Sequence, residues 1–279
     1  MDSPLWARQR PERIEVYRAG ETRPLATQVA VPNRRPYLHP LLAPDGVGEL
    51  TEDAPTHHPW QHGLYVGLND VNGVGFWTEG IQRSPTDGTF HPDPLLPPTV
   101  NREYVSWSVV TEWRAPNGEP LLTETQSWTL RDALTTISLD LRWTLTATVN
   151  LRFGNYPYGG LFLRMPYRPE TGGSILTSEG LGLPDAEGRR ARWVAVSMRV
   201  AGRANVAGIA ILDHPSNAEH PVPWRVDGQL GISPSRCIAG AWELMSRAST
   251  TSRYRVVAFC GETDAGAIEA AWRSWAETR

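Results

Sequence analysis

Four of the seven histidines, His39, His57, His58 and His62, fall in one short stretch of the chain, three of them inside THHPWQHGLYVGLNDVNGVGFW. Imidazole is the side chain best placed to move protons near neutral pH. The cluster therefore points to acid/base chemistry on a small polar molecule, with His62 or His58 as the proton carrier. Asp70 follows closely, between Asn69 and Asn72, and is the candidate carboxylate partner. Asn72 and His39 would hold hydroxyl groups. Trp60 and Trp77 offer flat apolar faces with one N–H donor each, suited to stacking on the C–H face of a sugar ring. Gly63, Gly67, Gly73 and Gly75 would permit close backbone approach or positive φ. His62 is expected outside the core, so that His62→Ala would remove turnover at a stability cost within about 1 kcal/mol.

Two further segments carry chemistry. In GIAILDHPSNAEHPVPWR (208–225), a buried strand delivers Asp213 and His214 at its end, followed by Asn217. Asp213 would orient or charge-stabilise an imidazole, with His214 and Asn217 as ligand contacts; the alternative is an Asx-type turn ahead of Pro215. In NYPYGGLFLRMPY (155–167), Tyr158 and Arg164 would hold hydroxyls or a carboxylate, Arg supplying a bidentate fork. No metal is predicted, because Pro59 interrupts the helix on which a His58/His62 pair at i,i+4 would ride. If a divalent metal is bound, its ligands come from His39, His57, His58 and His62.

The elements that must position these groups are mostly strands. Residues 135–149 place Ile137, Leu139, Leu141, Trp143 and Leu145 on one face, and 121–130 place Leu122, Trp128 and Leu130 on one face; period two marks a half-buried antiparallel strand. Shorter strands are predicted at 13–18, 25–31, 64–68, 105–113, 160–165, 193–200, 206–212, 222–226 and 253–259. One helix is predicted, at 263–278, capped by Thr263 or Asp264, with Ile268, Ala271, Trp272 and Trp275 on one side. The Pro-rich stretch 84–98 is expected to be a surface loop. No repeat of 20–50 residues is visible, so propellers and solenoids are disfavoured. The expectation is an all-β chain, one domain over 1–279, built as a large antiparallel two-sheet sandwich with a C-terminal helix.

Composition narrows the function classes. The 279 residues carry 27 basic and 30 acidic side chains, a formal charge of −3, which gives no footprint for nucleic acid. Every one of the 27 cations is Arg; Schiff-base, pyridoxal-phosphate and P-loop enzymes, which need a Lys, are excluded. Cys237 and Cys260 are too few for a disulfide scaffold or a zinc knuckle. No apolar run reaches membrane-spanning length and the N-terminus lacks a signal-like apolar core; a soluble, cytoplasmic protein with no membrane partner is expected. The sequence leaves its oligomeric state open. H-E-x-x-H, G-x-S-x-G, G-x-G-x-x-G and EF-hand motifs are absent.

Taken together, RPYLHPLLAPDG, HHPWQHGLYVGLNDVNGVGFW, YGGLFLRMPY and GIAILDHPSNAEHPVPW resemble the methane oxygenase PmoA-like family, from about Arg35 to Phe259. Where the family's H-P-H-H-R-G-L-W-like segment shows a His-Arg-Gly run, this chain has Trp60-Gln61-His62-Gly63. The resemblance implies a galactose-mutarotase-like β-supersandwich and carbohydrate metabolism; the oxygenase label conflicts with the absence of a transmembrane segment. The leading expectation is a carbohydrate-active enzyme using His-based acid/base chemistry (epimerisation, elimination or hydrolysis) on a sugar or keto-sugar. Alternatives are a non-catalytic sugar-binding or sensor protein, and a metal-dependent oxygenase or lyase.

Overall fold

The computed structural model describes residues 5–82 and 84–278. Two large antiparallel sheets dominate. The first has eight strands, in the order Leu5–Arg10, Arg13–Arg18, Ala26–Val29, Tyr37–Leu41, Leu64–Gly67, Gly160–Leu163, Ile232–Pro234, Trp224–Val226. The second runs Ser174–Thr177, Trp193–Met198, Ala207–Asp213, Ser249–Cys260, Thr136–Ala147, Pro120–Asp132, Val105–Arg114, Thr89–Pro92, with Thr99–Val100 also on Val105–Arg114. A short ribbon pairs Leu151–Phe153 with Trp242–Leu244.

Strand parity explains how the sheets meet. Ile137, Leu139, Leu141, Trp143 and Leu145 are all buried, as their alternation predicts, and share one apolar core with Ile14, Val16, Leu38, Leu64, Val66, Leu161 and Leu163 of the eight-stranded sheet. The alternation breaks where a second layer covers the outer face. In Trp193–Met198 and Ala207–Asp213 every residue is buried: Val194, Val196, Ile209 and Ile211 face the inter-sheet core, whereas Trp193, Ala195, Ala210 and Leu212 meet Ile268 and Trp275 of the helix Ala265–Ala276. Strands buried on both faces read as continuous apolar runs. Asp264 caps this helix by accepting the Ala267 N–H at 3.0 Å.

The structure departs from the sequence expectation at short elements. A four-residue helix, Arg236–Ala239, joins the C-terminal one. The Pro-rich stretch 84–98 contains an edge strand, Thr89–Pro92, a position that tolerates Pro because the missing N–H faces away from the ladder. Leu5–Arg10 is mostly exposed and carries no run of inward apolar positions, and Tyr37–Leu41 and Ile232–Pro234 are too short to show a period. No helix among the described residues is long and apolar enough to cross a membrane.

The inter-sheet core also holds a polar ladder. Glu124 and Gln126 share the inward parity of Leu122, Trp128 and Leu130 and are buried with them. Trp113 Nε1 (3.2 Å), Trp143 Nε1 (2.7 Å) and Gln126 Nε2 (3.1 Å) all donate to the Glu124 carboxyl. Burial pushes this carboxyl up to about 7, against the pull of its donors. The folded pKa is raised above the unfolded value of 4.5, so the contribution is fully present below pH 4.5 and lost as pH rises through about 7. Urea denaturation across pH 4.5–8 should show a decline of roughly 3 kcal/mol from this group. Glu124→Gln is expected to be less stable at acid pH but to lack that slope; a variant with an unchanged slope contradicts the assignment.

Candidate functional site

The outer face of the eight-stranded sheet carries the site. Leu64 and Val66 point into the sandwich, so Tyr65 points out; Leu161 and Leu163 do the same for Phe162. Tyr65 and Phe162, with ring centroids 5.3 Å apart, pack with Trp77, and Tyr37, Trp60 and Tyr158 surround them. Two loops, residues 53–62 and 76–82, cover this aromatic floor.

A buried charge chain ties those loops down. Arg35 is fully buried, its guanidinium 4.1 Å from the Tyr65 ring centroid. It donates to the carbonyls of Phe76 (3.3 Å), Trp77 (3.0 Å) and Trp60. The Arg35 backbone N–H donates to Glu79 Oε1 at 3.2 Å, and Arg35 Nε lies 3.2 Å from the same oxygen. Gly67 leaves room for this: a Cβ there would come within 2.6 Å of Arg35 Nη1. Glu79 Oε2 in turn meets His62 Nε2 at 3.1 Å, and His62 Nδ1 meets Asp53 Oδ1 at 2.5 Å. Only an imidazolium donates from both ring nitrogens, so this geometry calls for protonated His62. Burial alone would lower the His62 pKa, but the bonds to Asp53 and Glu79 outweigh it and raise it. Burial likewise opposes ionisation of Glu79, yet Arg35 and His62 hold its carboxyl below the ordinary range.

Above the floor lies a cleft of about 230 Å³, walled by Trp60, Trp77, Tyr158 and Phe162, with His58 and Asp227 among its polar lining. Three residues of its lining each carry a buried polar atom with no hydrogen-bond partner among the described residues: His58 Nδ1, Trp60 Nε1 and Gln61 Oε1. Such atoms cost about 1–3 kcal/mol each unless something satisfies them. Their concentration beside an aromatic wall marks a place for a polar ligand with an apolar face. Burial, then the neighbouring His57 and Arg164, lowers the His58 pKa, so this ring is neutral near pH 7. Asp227 accepts the Gln229 and Gly231 N–H groups on Oδ1, and its charge acts on the His58 ring in the opposite sense.

A family model described as "Family of unknown function (DUF6807)" matches residues 17–273. The chain belongs to this family. The model carries that description rather than the PmoA-like one that the motif strings resemble. No curated protein sequence matches the chain. Solved structures similar to this DUF6807 member include a galactose 1-epimerase from Lactobacillus acidophilus NCFM (10% identity, 94% of this chain and 100% of that one, TM-score 0.42). A galactose mutarotase related enzyme from Lactobacillus acidophilus matches at 10% identity over 94% and 98%, with a TM-score of 0.40. An α-galactosidase from Lactobacillus brevis matches at 11% identity and a TM-score of 0.37; 91% of the DUF6807 chain spans 39% of that chain.

Of the sequence-predicted residues, His58, Trp60, Trp77 and Tyr158 converge on the cleft. Arg164 and His57 line a neighbouring cavity of about 670 Å³. His39, bonded to Thr51 Oγ1 at 3.0 Å, lines a third depression of about 740 Å³ that Asp53 also borders. His62 is not outside the core as expected: it is 4% exposed, and both ring nitrogens are engaged. Asp70 and Asn72 adopt positive φ (55° and 53°) and hold a turn. Asp70 accepts the Gly73 N–H, and Asn72 bridges Asn150 O and the Arg152 N–H. Asp213 is fully buried, receiving Asn217 Nδ2, His220 Nδ1 and the Val222 N–H. His214 bonds Ser216 and the Thr278 carbonyl, so this second cluster packs beside the C-terminal helix. His39, His57, His58 and His62 do not gather into a ligand set: no three His, Cys, Asp or Glu among the described residues are grouped to hold a metal.

Sequence reading missed Arg35, Asp53, Glu79 and Asp227. Arg35 opens the RPYLHP string and Glu79-Gly80 is a turn signal, but no spacing rule joins positions so far apart. The charge chain makes a direct prediction. Removing one partner of a buried pair leaves the other uncompensated, so Arg35→Met should cost about 3–5 kcal/mol in urea denaturation. In the Arg35→Met/Glu79→Gln double variant the loss should be well below the sum of the single losses; additive losses contradict the coupling.

Proposed function

We propose that this protein is a carbohydrate-active enzyme that works on a sugar or keto-sugar by acid/base chemistry in the cleft between His58 and Asp227. One observation carries the reading: three residues that each hold an unpartnered buried polar atom, His58, Trp60 and Gln61, line the same cleft as an aromatic wall and a carboxylate. A sugar ring presents that combination in reverse, an apolar C–H face rimmed by hydroxyls.

Neutral His58 accepts a proton through its unpartnered Nδ1, and the Asp227 carboxylate stabilises the imidazolium that forms. For ring opening, the proton leaves the anomeric hydroxyl as the C1–O5 bond breaks, and O5 takes a proton to give the open-chain aldehyde. The Tyr158 phenol, whose pKa burial raises, stays protonated and is the donor at O5. Reclosure from the other face returns both protons. Enolisation of a keto-sugar uses the same base on a C–H next to the carbonyl. His62 supplies no proton here; it fixes the loop that presents His58.

The test is NMR of a panel of aldoses and keto-sugars in D₂O with the purified protein, following anomeric exchange and deuterium entry next to the carbonyl. At least one sugar should exchange faster with protein present. His58→Gln should slow that exchange by about 10²–10⁴-fold while ligand binding persists, and Asp227→Asn should slow it less. Full activity in His58→Gln, or exchange unaffected by the protein across the panel, overturns the catalytic reading.

A further inference from the structure

The cavity of about 670 Å³ next to the cleft is lined by Glu52, His57, Arg164, Arg168 and Gln229, among others. The two spaces share their dividing walls. His57 lines one and His58 the other, their rings in edge contact at 4.8 Å; Gly228 and Gln229 line one and Asp227 the other. The two spaces are thus adjacent, with only this wall between a ring held in the cleft and the cavity.

Its charge is unbalanced. The Arg164 side chain is 1% exposed, and among the described residues the one carboxylate paired with it is Glu52, 3.4 Å from Nε. That carboxylate is already the partner of Arg168, whose Nη2 donates to Glu52 Oε1 at 2.7 Å. Two guanidinium groups thus share one carboxylate, and the buried one has the longer contact.

The two groups that accept from the Arg164 Nη atoms are in turn short of a donor between them. Nη1 donates to Gln229 Oε1 at 2.7 Å, and Nη2 lies 2.9 Å from His57 Nε2. Arg only donates, so His57 Nε2 presents a lone pair to it. The same Nε2 is 2.9 Å from Gln229 Oε1, which places two acceptors face to face. Flipping the Gln229 amide moves the conflict onto Arg164 without removing it. An incoming anion that takes over Arg164 Nη2 releases His57 from this contact and supplies the missing negative charge. A neutral hydroxyl does only the first.

We propose that this cavity is an acid-group subsite and that the substrate is a sugar acid, its carboxylate held by Arg164 with Arg168 at the mouth. This rests on the sugar-binding reading of the cleft and specifies the substrate class. A planar carboxylate matches the guanidinium fork.

Calorimetric titration with matched pairs of neutral hexoses and their uronates tests it, with the hexose 6-phosphates as a third arm. At least one uronate should bind about tenfold or more tightly than its neutral counterpart. Arg164 is buried against Glu52, so its replacement also tests folding. Gln229→Glu and Arg168→Gln, at the cavity edge, should remove the preference for the uronate and leave neutral-hexose affinity unchanged. Equal binding of neutral and acidic partners, or a preference that survives Gln229→Glu, overturns the subsite while leaving the sugar cleft standing. Preference for the 6-phosphate over the uronate overturns the carboxylate assignment. Binding of no member of any arm overturns the sugar reading itself, and the subsite with it.

Discussion

The site depends on one buried cation. Arg35 sits on the Tyr65 ring with its N–H groups on the carbonyls of Trp60, Phe76 and Trp77. Without those three acceptors the buried guanidinium would keep Glu79 alone, and without the guanidinium the two loops would lose their common anchor. Glu79, His62 and Asp53 extend the chain from the core toward the surface, alternating in sign so that each buried charge has a neighbour of the opposite kind. Such networks are costly to interrupt and add little net stability over apolar packing. Their value here is placement: Trp60 and Trp77, the cleft's walls, are held by main-chain carbonyls that the same guanidinium grips.

The sheet makes this possible because its two faces do different work. Inward residues of Leu64–Gly67 and Gly160–Leu163 complete the sandwich core, leaving Tyr65 and Phe162 free to floor the cleft. On the other sheet the C-terminal helix covers the outer face of Trp193–Met198, Ala207–Asp213 and part of Ser249–Cys260. That difference explains the fate of the two histidine-bearing segments. The first lies over an open aromatic face and is shaped into a cleft; the second, Asp213 to His220, lies against the helix and closes on itself through hydrogen bonds.

Much of the fold was legible because period-two alternation reports directly on a sandwich interior: the long strands Pro120–Asp132 and Thr136–Ala147 follow it nearly residue by residue. Glu124 and Gln126 sit on the inward parity as plainly as Leu122 does, yet composition alone would not bury a carboxylate; N–H donors from Gln126 beside it and from Trp113 and Trp143 on the two neighbouring strands make that tolerable. The site was legible in part. Local density of His and Trp located the segment, and His58, Trp60, Trp77 and Tyr158 do share a cleft. Which imidazole is free was not readable, since that is decided by Asp53 and Glu79, residues on either side that become neighbours only after Asp53 and His62 pair as a β-bridge. Asp227 and Gln229 arrive from a loop more than 150 residues away, beyond the reach of any local pattern.

The central claim is a division of labour between two imidazoles four residues apart: His62 is a structural imidazolium and His58 a neutral, unpartnered ring. Long-range ¹⁵N–¹H spectra of the histidine ring nitrogens at pH 7.5, assigned with His58→Gln and His62→Gln, measure both states in one sample. Doubly protonated shifts for His62 beside a neutral pattern for His58 are the predicted result. A neutral His62, or a protonated His58 at that pH, would contradict it.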